Sequence, residues 1–289
     1  MPIFKTYMQV KDFLKGVEPV LEANEAANGL MYGLAIHISR FPERYRPLPF
    51  FGIVRQGTEV LAAAMMTPPH NVVVFCTHGN NTRDVFNLIA RSLRDADWPV
   101  PGVLGPNEAA LAFAQGWREV AKEEFELKVH ERVYELREVI QPPQPAGSMR
   151  PARPDELDLA ADWVLAFHQE SVPNDTLTLN EARENVRHKI DEQYIFFWDD
   201  GEPVAMAGQS RLTPNGACIG PVYTPPQFRR KGYASALTAA LSQRLLDSGK
   251  KFTTLFTDLS NPTSNAIYQR IGYQSVCDFD LYEFKAAKE

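Results

Sequence analysis

The order of apolar and polar stretches predicts the same β-hairpin in both halves of the chain. The first hairpin begins at Pro49, with PFFGIVRQGTEVLAAAMMTPP, and the second begins at Gln193, with QYIFFWDDGEPVAMAGQSRLTP. Each stretch predicts an apolar strand, a polar turn that contains a glycine (Gly57 or Gly201), and a second apolar strand. The aromatic run before the second turn is expected to be a buried strand.

A second correspondence lies further along each half. LGPNEAALAFAQGWREV, from Leu104, matches LSNPTSNAIYQRIGYQSV, from Leu259, in outline when Gly116 is aligned with Gly272. Since element type and order agree, we interpret the chain as two α/β domains in tandem, each with a mixed, largely antiparallel sheet flanked by helices. The second half is longer between these landmarks. Its extra residues fall at PPQFRRKGYASAL, where the first half has HGNNTRDVFNLIA.

The seam between the halves is QPPQPAGS, residues 141–148. Three prolines, a glycine and no large apolar residue disfavour both helix and strand, so we predict a linker here. The predicted domains are therefore residues 1–140 and residues 149–289, and the length of each is typical of one domain.

The segment from Ala217 predicts a strand, a loop and a helix in succession. The apolar run to Tyr223 predicts the strand, which Thr224 and the two prolines after it end. Leucines at four-residue spacing predict a helix from Ala234 that stops at Gly249. The loop between them, RRKG, is basic and opens onto a helix start, where free N–H groups and the helix dipole suit a pyrophosphate. On these residues alone an ordinary solvated loop is the alternative.

The pattern Arg229-xx-Gly232-x-Ala234 after a strand resembles the coenzyme A pyrophosphate loop of the GNAT superfamily of acyl-CoA-dependent N-acyltransferases. The next elements resemble that superfamily as well. They are a strand, FTTLFTDL, a helix with asparagine and tyrosine in NPTSNAIYQRIGY, and the closing strand FDLYEF. The resemblance covers residues 149–284. It implies two GNAT-like domains in tandem, of which the C-terminal one is catalytic and the N-terminal one is a degenerate copy.

The resemblance also implies that acetyl-CoA is the co-substrate. The residues expected to bind it are Val222, Tyr223, Thr224, Arg229, Arg230, Lys231, Gly232, Tyr233, Ala234, Ser235, Asn261, Ser264, Asn265 and Tyr268. In the superfamily two central strands splay apart, and a backbone N–H polarises the thioester. Here that N–H would be near Val222 or Tyr223, and Gly220 with Pro221 suits a local break in the strand.

Tyr268 is the residue that the resemblance assigns to catalysis, as the general acid that protonates the departing thiolate. A core tyrosine with only a packing role is the alternative. Asn261 and Asn265 are expected either to cap the helix or to contact the pantetheine arm, and the two roles are compatible. The strand to Tyr223 carries no carboxylate. The general base is therefore left open between Glu170, Asp258 and a chain of water molecules.

The implied reaction is direct transfer of an acetyl group to a primary amine of a small molecule or peptide. Transfer of other acyl groups, as in glycine N-acyltransferase-like proteins, and a non-catalytic coenzyme A sensor are the alternatives. The six histidines form no HxH, HxxxH or HExxH set, and no metal is expected. The sequence identifies neither the acceptor amine nor the oligomeric state.

Composition narrows the possible partners and the cellular compartment of the protein. The net charge of −6 lacks the basic excess of a nucleic-acid-binding domain, so nucleic acid is not expected as a partner. The three cysteines form no CxxC pair, which fits a reducing compartment. With no apolar run of signal-peptide or membrane-spanning length, we expect a cytoplasmic protein without a membrane partner.

Overall fold

A computed structural model describes residues 1–77, 82–171 and 177–286 of the chain. In chain order its elements are β1 (Ile3–Thr6), α1 (Val10–Ala23), α2 (Glu25–Arg40), β2 (Phe50–Gln56), β3 (Glu59–Met66), β4 (Val72–Cys76), α3 (Thr82–Asp95), β5 (Gly102–Pro106), α4 (Asn107–Ala121), β6 (Glu123–Leu136), β7 (Ser148–Pro151), α5 (Leu157–Ser171), α6 (Leu179–Asp191), β8 (Ile195–Asp199), β9 (Pro203–Leu212), β10 (Gly216–Tyr223), α7 (Tyr233–Asp247), β11 (Phe252–Asp258), α8 (Pro262–Arg270) and β12 (Gln274–Ala286). Short 3₁₀ turns precede β2, α5 and the loop before α7.

The chain divides into two compact units. The first unit comprises Met1–Val133 and the chain from Val276, and the second comprises Tyr134–Ser275. The predicted domains, 1–140 and 149–289, follow chain order and stay a prediction. The compact units differ from them at the end of the chain, because Phe279–Glu283 of β12 pair antiparallel with Gly102–Pro106 of β5. That non-local pairing places the closing segment FDLYEF in the first unit.

The first unit holds a mixed sheet between two pairs of helices. β1 to β4 are antiparallel neighbours, and β4 and β5 are parallel. Because side chains alternate across a strand, Phe51 packs with α1 and α2 on one face and Phe50 packs with α3 and α4 on the other.

The second unit repeats this arrangement. β7, β8, β9 and β10 are antiparallel neighbours, and β10 and β11 are parallel. Phe197 packs with α5 and α6, while Phe196 and Trp198 pack with α7 on the opposite face. The predicted fold class, a mixed sheet flanked by helices in each of two tandem domains, is therefore confirmed.

The local predictions succeed where a turn is short. Both hairpins form, and Gly57 and Gly201 take positive φ values of 60° and 82° in their turns. Residues 141–147 lie outside helix and strand, and Ser148 begins β7. In the described ranges no helix has both the length and the apolarity to cross a bilayer.

One detail of the internal alignment needs correction. Gly116 lies inside α4, whereas Gly272 follows α8 with φ of 108°. The left-handed residue that ends α4 is Lys122, at φ 61°. Lys122 immediately precedes β6, and Gly272 lies two residues before β12. Lys122 is therefore the structural counterpart of Gly272, whereas Gly116 lies inside a helix, where a Cβ would meet the side chain of Asn87.

Candidate active site

β10 and β11 of the second unit separate part-way along their length. They pair only at Gly216–Phe252, Ala217–Thr253 and Cys218–Thr254. Beyond Cys218 each strand continues without pairing to the other, and the pairing of β10 with β9 shifts register on both sides of Ile219. This opening leaves backbone groups of β10 unpaired on the side of β11. The break that Gly220 and Pro221 predict lies in this stretch.

The loop after β10 presents a row of free backbone N–H groups. The first helical hydrogen bond at this end of α7 runs from the Ala236 N–H to the Gly232 carbonyl, at 3.0 Å. Within the described residues the N–H groups of residues 230–235 have no backbone acceptor. Arg230 and Gly232 both have positive φ, 65° and 85°, which turns successive N–H groups to one side. Such a concave run at a helix N-terminus binds anions.

The space in front of this loop is open and positively charged. A Cβ built on Gly232 would meet nothing within 4 Å, so the backbone is approachable there. Arg230 and Lys231 are exposed, and neither forms an ion pair within the described ranges. Lys231 lies 5.7 Å from the centre of the Phe228 ring. Arg230 and Lys231 are thus available to an anion at the start of α7.

Arg229 has a different environment from its two neighbours. Its Nε donates to the Thr224 carbonyl at 2.9 Å, and its Nη2 contacts the Glu170 carboxylate at 2.9 and 2.6 Å. Glu170, near the end of α5, also accepts from the Tyr223 hydroxyl at 3.2 Å. Burial, and then the charge of Glu170, raises the pKa of Tyr223. Arg229 therefore ties α5 to the end of β10.

The other predicted residues of this region lie at the junction of β10 and α7 and differ in burial and in hydrogen bonding. Val222 is half-buried and pairs with Ala207 of β9. The Thr224 hydroxyl is buried and has no partner among the described residues. Tyr233 is buried, with its hydroxyl on Asp200 at 2.6 Å, so only its backbone faces the loop. Ala234 and Ser235 occupy the first turn of α7, half-buried, and contribute their N–H groups.

The asparagines of the second motif hold the turn between β11 and α8. Asn261 caps α8, accepting from the Ser264 N–H at 3.1 Å. The Asn265 amide donates to the Asp258 and Asn261 carbonyls at 2.9 and 2.7 Å and accepts from the Tyr134 hydroxyl at 3.0 Å. The Asp258 carboxylate accepts from the Ser260 N–H at 2.7 Å. These contacts favour the capping role for Asn261 and a backbone-satisfying role for Asp258.

Tyr268 lies in the core of the second unit, among Tyr134, Ala239 and Leu255. Its ring packs edge-on against Tyr273, with 6.0 Å between ring centres. Burial raises the pKa of the Tyr268 hydroxyl to about 12. No hydrogen bond to this hydroxyl is found among the described residues, whereas the Tyr273 hydroxyl contacts Ser242 and Thr253 at 2.9 and 2.8 Å. Tyr268 therefore keeps its proton at neutral pH and has a hydroxyl free for a ligand.

The predicted residues fall in two groups: those of the loop lie at the junction of β10 and α7, and Asn261, Ser264, Asn265 and Tyr268 lie in α8 and at its start. The sequence motif did not mark Glu170 or Tyr134, because each meets its partner across a long sequence separation. Among the described residues no group of three or more histidine, cysteine or acidic side chains could hold a metal ion.

Part of the chain is similar to a known family. Residues 198–280 match the model of the family described as FR47-like protein. No curated protein matches the sequence.

Solved structures share the fold along nearly the whole chain, among them the following three. A tandem GNAT protein from the clavulanic acid biosynthesis pathway is 13% identical, with a TM-score of 0.61 and full coverage of both chains. A GCN5-related N-acetyltransferase from Sphaerobacter thermophilus is 16% identical, with a TM-score of 0.63 over 98% of this chain and 95% of that one. A GNAT-family acetyltransferase from Colwellia psychrerythraea is 14% identical, with a TM-score of 0.58 over 98% of both chains. The predicted resemblance to the GNAT superfamily is thereby confirmed at the level of the fold: the chain shares the fold of these GNAT structures along nearly its whole length, and most of the FR47-like region lies in the second unit.

Proposed function

We propose that the second unit is an N-acetyltransferase that moves an acetyl group from acetyl-CoA to a primary amine of a small molecule or peptide by direct attack. The observation that carries this proposal is the pairing of two features in one unit. β10 and β11 separate after Cys218, and the run of free N–H groups at residues 230–235 lies just beyond the end of β10.

The residues present fit coenzyme A. The free N–H groups, the open approach at Gly232, and the side chains of Arg230 and Lys231 suit the pyrophosphate. The unpaired edge of β10 suits an extended amide-containing chain such as pantetheine, which would add hydrogen bonds as a strand does. The bound co-substrate supplies the thioester that the amine attacks.

Three groups of the chain would serve the chemistry. A backbone N–H near Val222 or Tyr223 would donate to the thioester carbonyl and stabilise the negative charge that develops on its oxygen. Tyr268, protonated at neutral pH, would donate its proton to the departing sulfur. Glu170, which contacts Tyr223 and Arg229 at the end of β10, would accept the amine proton directly or through water.

The test is a panel of amines incubated with acetyl-CoA, with release of free thiol as the readout and calorimetry for coenzyme binding. We expect coenzyme binding and thiol release that depends on one class of amine. Binding without turnover on any amine would favour the sensor alternative. Turnover only with longer acyl-CoA donors would favour the glycine N-acyltransferase-like alternative.

A further inference from the structure

A cluster of positive charge lies on one face of the sheet in the second unit. Ala217 and Ile219 of β10 pack with α7, so Cys218 between them faces the opposite side, which α5 and α6 cover. There Arg211 of β9 donates from Nη2 to the Cys218 sulfur at 3.2 Å. The guanidinium also lies over the Phe256 ring, 5.4 Å from its centre.

Lys189 of α6 joins this cluster. Burial and then the positive charge of Arg211 lower the pKa of Lys189, with Cys218 acting in the opposite direction. These causes show that the three side chains are electrostatic neighbours, contributed by α6, β9 and β10. The remaining side chain of the cluster, Phe256 of β11, does not titrate.

The described residues give the cluster no carboxylate partner. In the ranges that the structure covers, neither Lys189 nor Arg211 forms an ion pair, and the Arg211 Nε is buried without an acceptor. Arg150 and Arg183 of the same unit each contact a carboxylate. A guanidinium with an unused, desolvated donor is unfavourable in the free protein, and a bound anion removes that cost.

The position of the cluster relates it to the opening between the strands. Cys218 is the last residue of β10 that pairs with β11. Val222, where the thioester is expected, lies four residues further, a distance of up to about 13 Å at the rise of an extended strand. An anionic group held at Arg211 would therefore lie several bonds away from an amine at Val222.

We propose that Lys189 and Arg211 form a subsite for a carboxylate of the acceptor, which is thus an amine with its carboxylate several bonds away rather than an α-amino acid acetylated on its α-amine. The inference rests on the proposed function for the identity of the amine, but the anion site stands on its own contacts. Arginine presents a planar pair of donors that matches a carboxylate, and lysine adds a point charge beside it.

The binding experiment uses a product-like probe, N-acetyl-6-aminohexanoate, against its carboxamide, by calorimetry on the full chain. The native protein should bind the carboxylate at least about tenfold more tightly than the amide, and Arg211→Gln should abolish that preference. Lys189→Gln provides a second variant if Arg211→Gln fails to fold, and Arg187→Gln, at an exposed position of the same helix, is the matched control. Equal affinities for the two probes in the native protein would overturn the subsite.

The turnover experiment compares 6-aminohexanoate, hexylamine and glycine as acceptors. We expect kcat/KM to fall in that order, with 6-aminohexanoate favoured over hexylamine by about tenfold or more and the preference lost in Arg211→Gln. Carboxylate binding with no acetylation of any amine would sink the proposed function and leave the subsite. Acetylation without carboxylate preference, in turnover or binding, would sink the subsite alone. Tighter binding of 6-aminohexyl phosphate than of 6-aminohexanoate would overturn the assignment to a carboxylate.

Discussion

Arg229 and Glu170 form an ion pair in which Nη2 lies 2.6 Å from Oε2, while Arg229 Nε donates to the Thr224 carbonyl. Arg229, the first basic residue of the loop, thus contacts the end of α5. Arg230 and Lys231 remain at the start of α7. The pyrophosphate would be held by these two side chains and the backbone N–H groups.

The first prediction follows from this division of roles. Arg230→Gln and Lys231→Gln, combined, should weaken acetyl-CoA binding and reduce its dependence on salt, because they remove charge that faces the phosphate. Arg229→Gln should reduce the salt dependence less, since its charge is already paired. Calorimetry at several salt concentrations checks this. A larger loss of salt dependence in Arg229→Gln than in the double variant would contradict the assignment.

Two substitutions of Gly232 distinguish the effect of backbone strain from the effect of charge. Gly232→Ala places a side chain at φ 85° in open space, so it should cost stability, about 1–2 kcal/mol, with a modest effect on coenzyme affinity. Gly232→Asp carries a similar strain and adds a carboxylate where a phosphate must sit. We expect it to weaken acetyl-CoA binding at least about tenfold more than the alanine variant does. If both variants bind acetyl-CoA equally, the loop is not the phosphate site.

The second unit should also show a specific acid sensitivity at Glu156. Although burial opposes the shift, hydrogen bonds from Arg150 and from the Arg153 N–H hold the pKa of Glu156 below its ordinary value of 4.5. A lowered folded-state pKa stabilises the protein above the unfolded value, and that stability is lost as the pH falls through the folded value.

Glu156→Gln should therefore lower the free energy of unfolding at neutral pH and flatten its fall below pH 4.5, measured by denaturant titration at several pH values. The exposed Glu184→Gln on α6 is the control and should follow the native curve. A Glu156→Gln curve parallel to the native one would show that this carboxylate is not the source.

Coenzyme binding should have a stoichiometry of one per chain. The first unit also has a parallel strand pair that ends early, at Val72–Val103 and Val73–Leu104. Tyr268 lies four residues before Gly272. Aligning Gly116 with Gly272 places Ala112 opposite Tyr268, and aligning Lys122 with Gly272 places Arg118 there, so neither alignment gives a tyrosine. Calorimetry that finds two acetyl-CoA sites per chain would overturn the interpretation of this unit as a degenerate copy.

The sequence was sufficient for features that depend on neighbouring residues. Apolar runs on either side of a polar turn with a glycine predicted both hairpins, and the prolines after Tyr223 predicted the end of β10. Short-range periodicity and turn chemistry determine these elements, so a local pattern contains the necessary information.

Local sequence patterns could not predict contacts between residues that are far apart in the sequence. Arg229 and Glu170 are 59 residues apart, and Arg132 and Asp278, which pair in the first unit, are 146 apart. The pairing of β12 with β5 likewise depends on topology. The role of Asn265, which holds a turn through three hydrogen bonds, depends on Tyr134 and on carbonyl groups that no spacing rule identifies.

The central claim is most directly tested by Tyr268→Phe, with Tyr273→Phe as its matched control. The two buried tyrosines pack edge to face, and among the described residues only the Tyr273 hydroxyl has partners, Ser242 and Thr253. Tyr273→Phe should therefore lose stability, about 1–3 kcal/mol, and little turnover.

The measurement is the turnover number and acetyl-CoA affinity of both variants beside the native protein, with an amine that the native protein acetylates. Loss of the general acid acts in the transition state, so Tyr268→Phe should lower turnover about 10²–10⁴-fold with coenzyme affinity unchanged. Turnover in Tyr268→Phe equal to that of the native protein would contradict the account and return the proton donor to water.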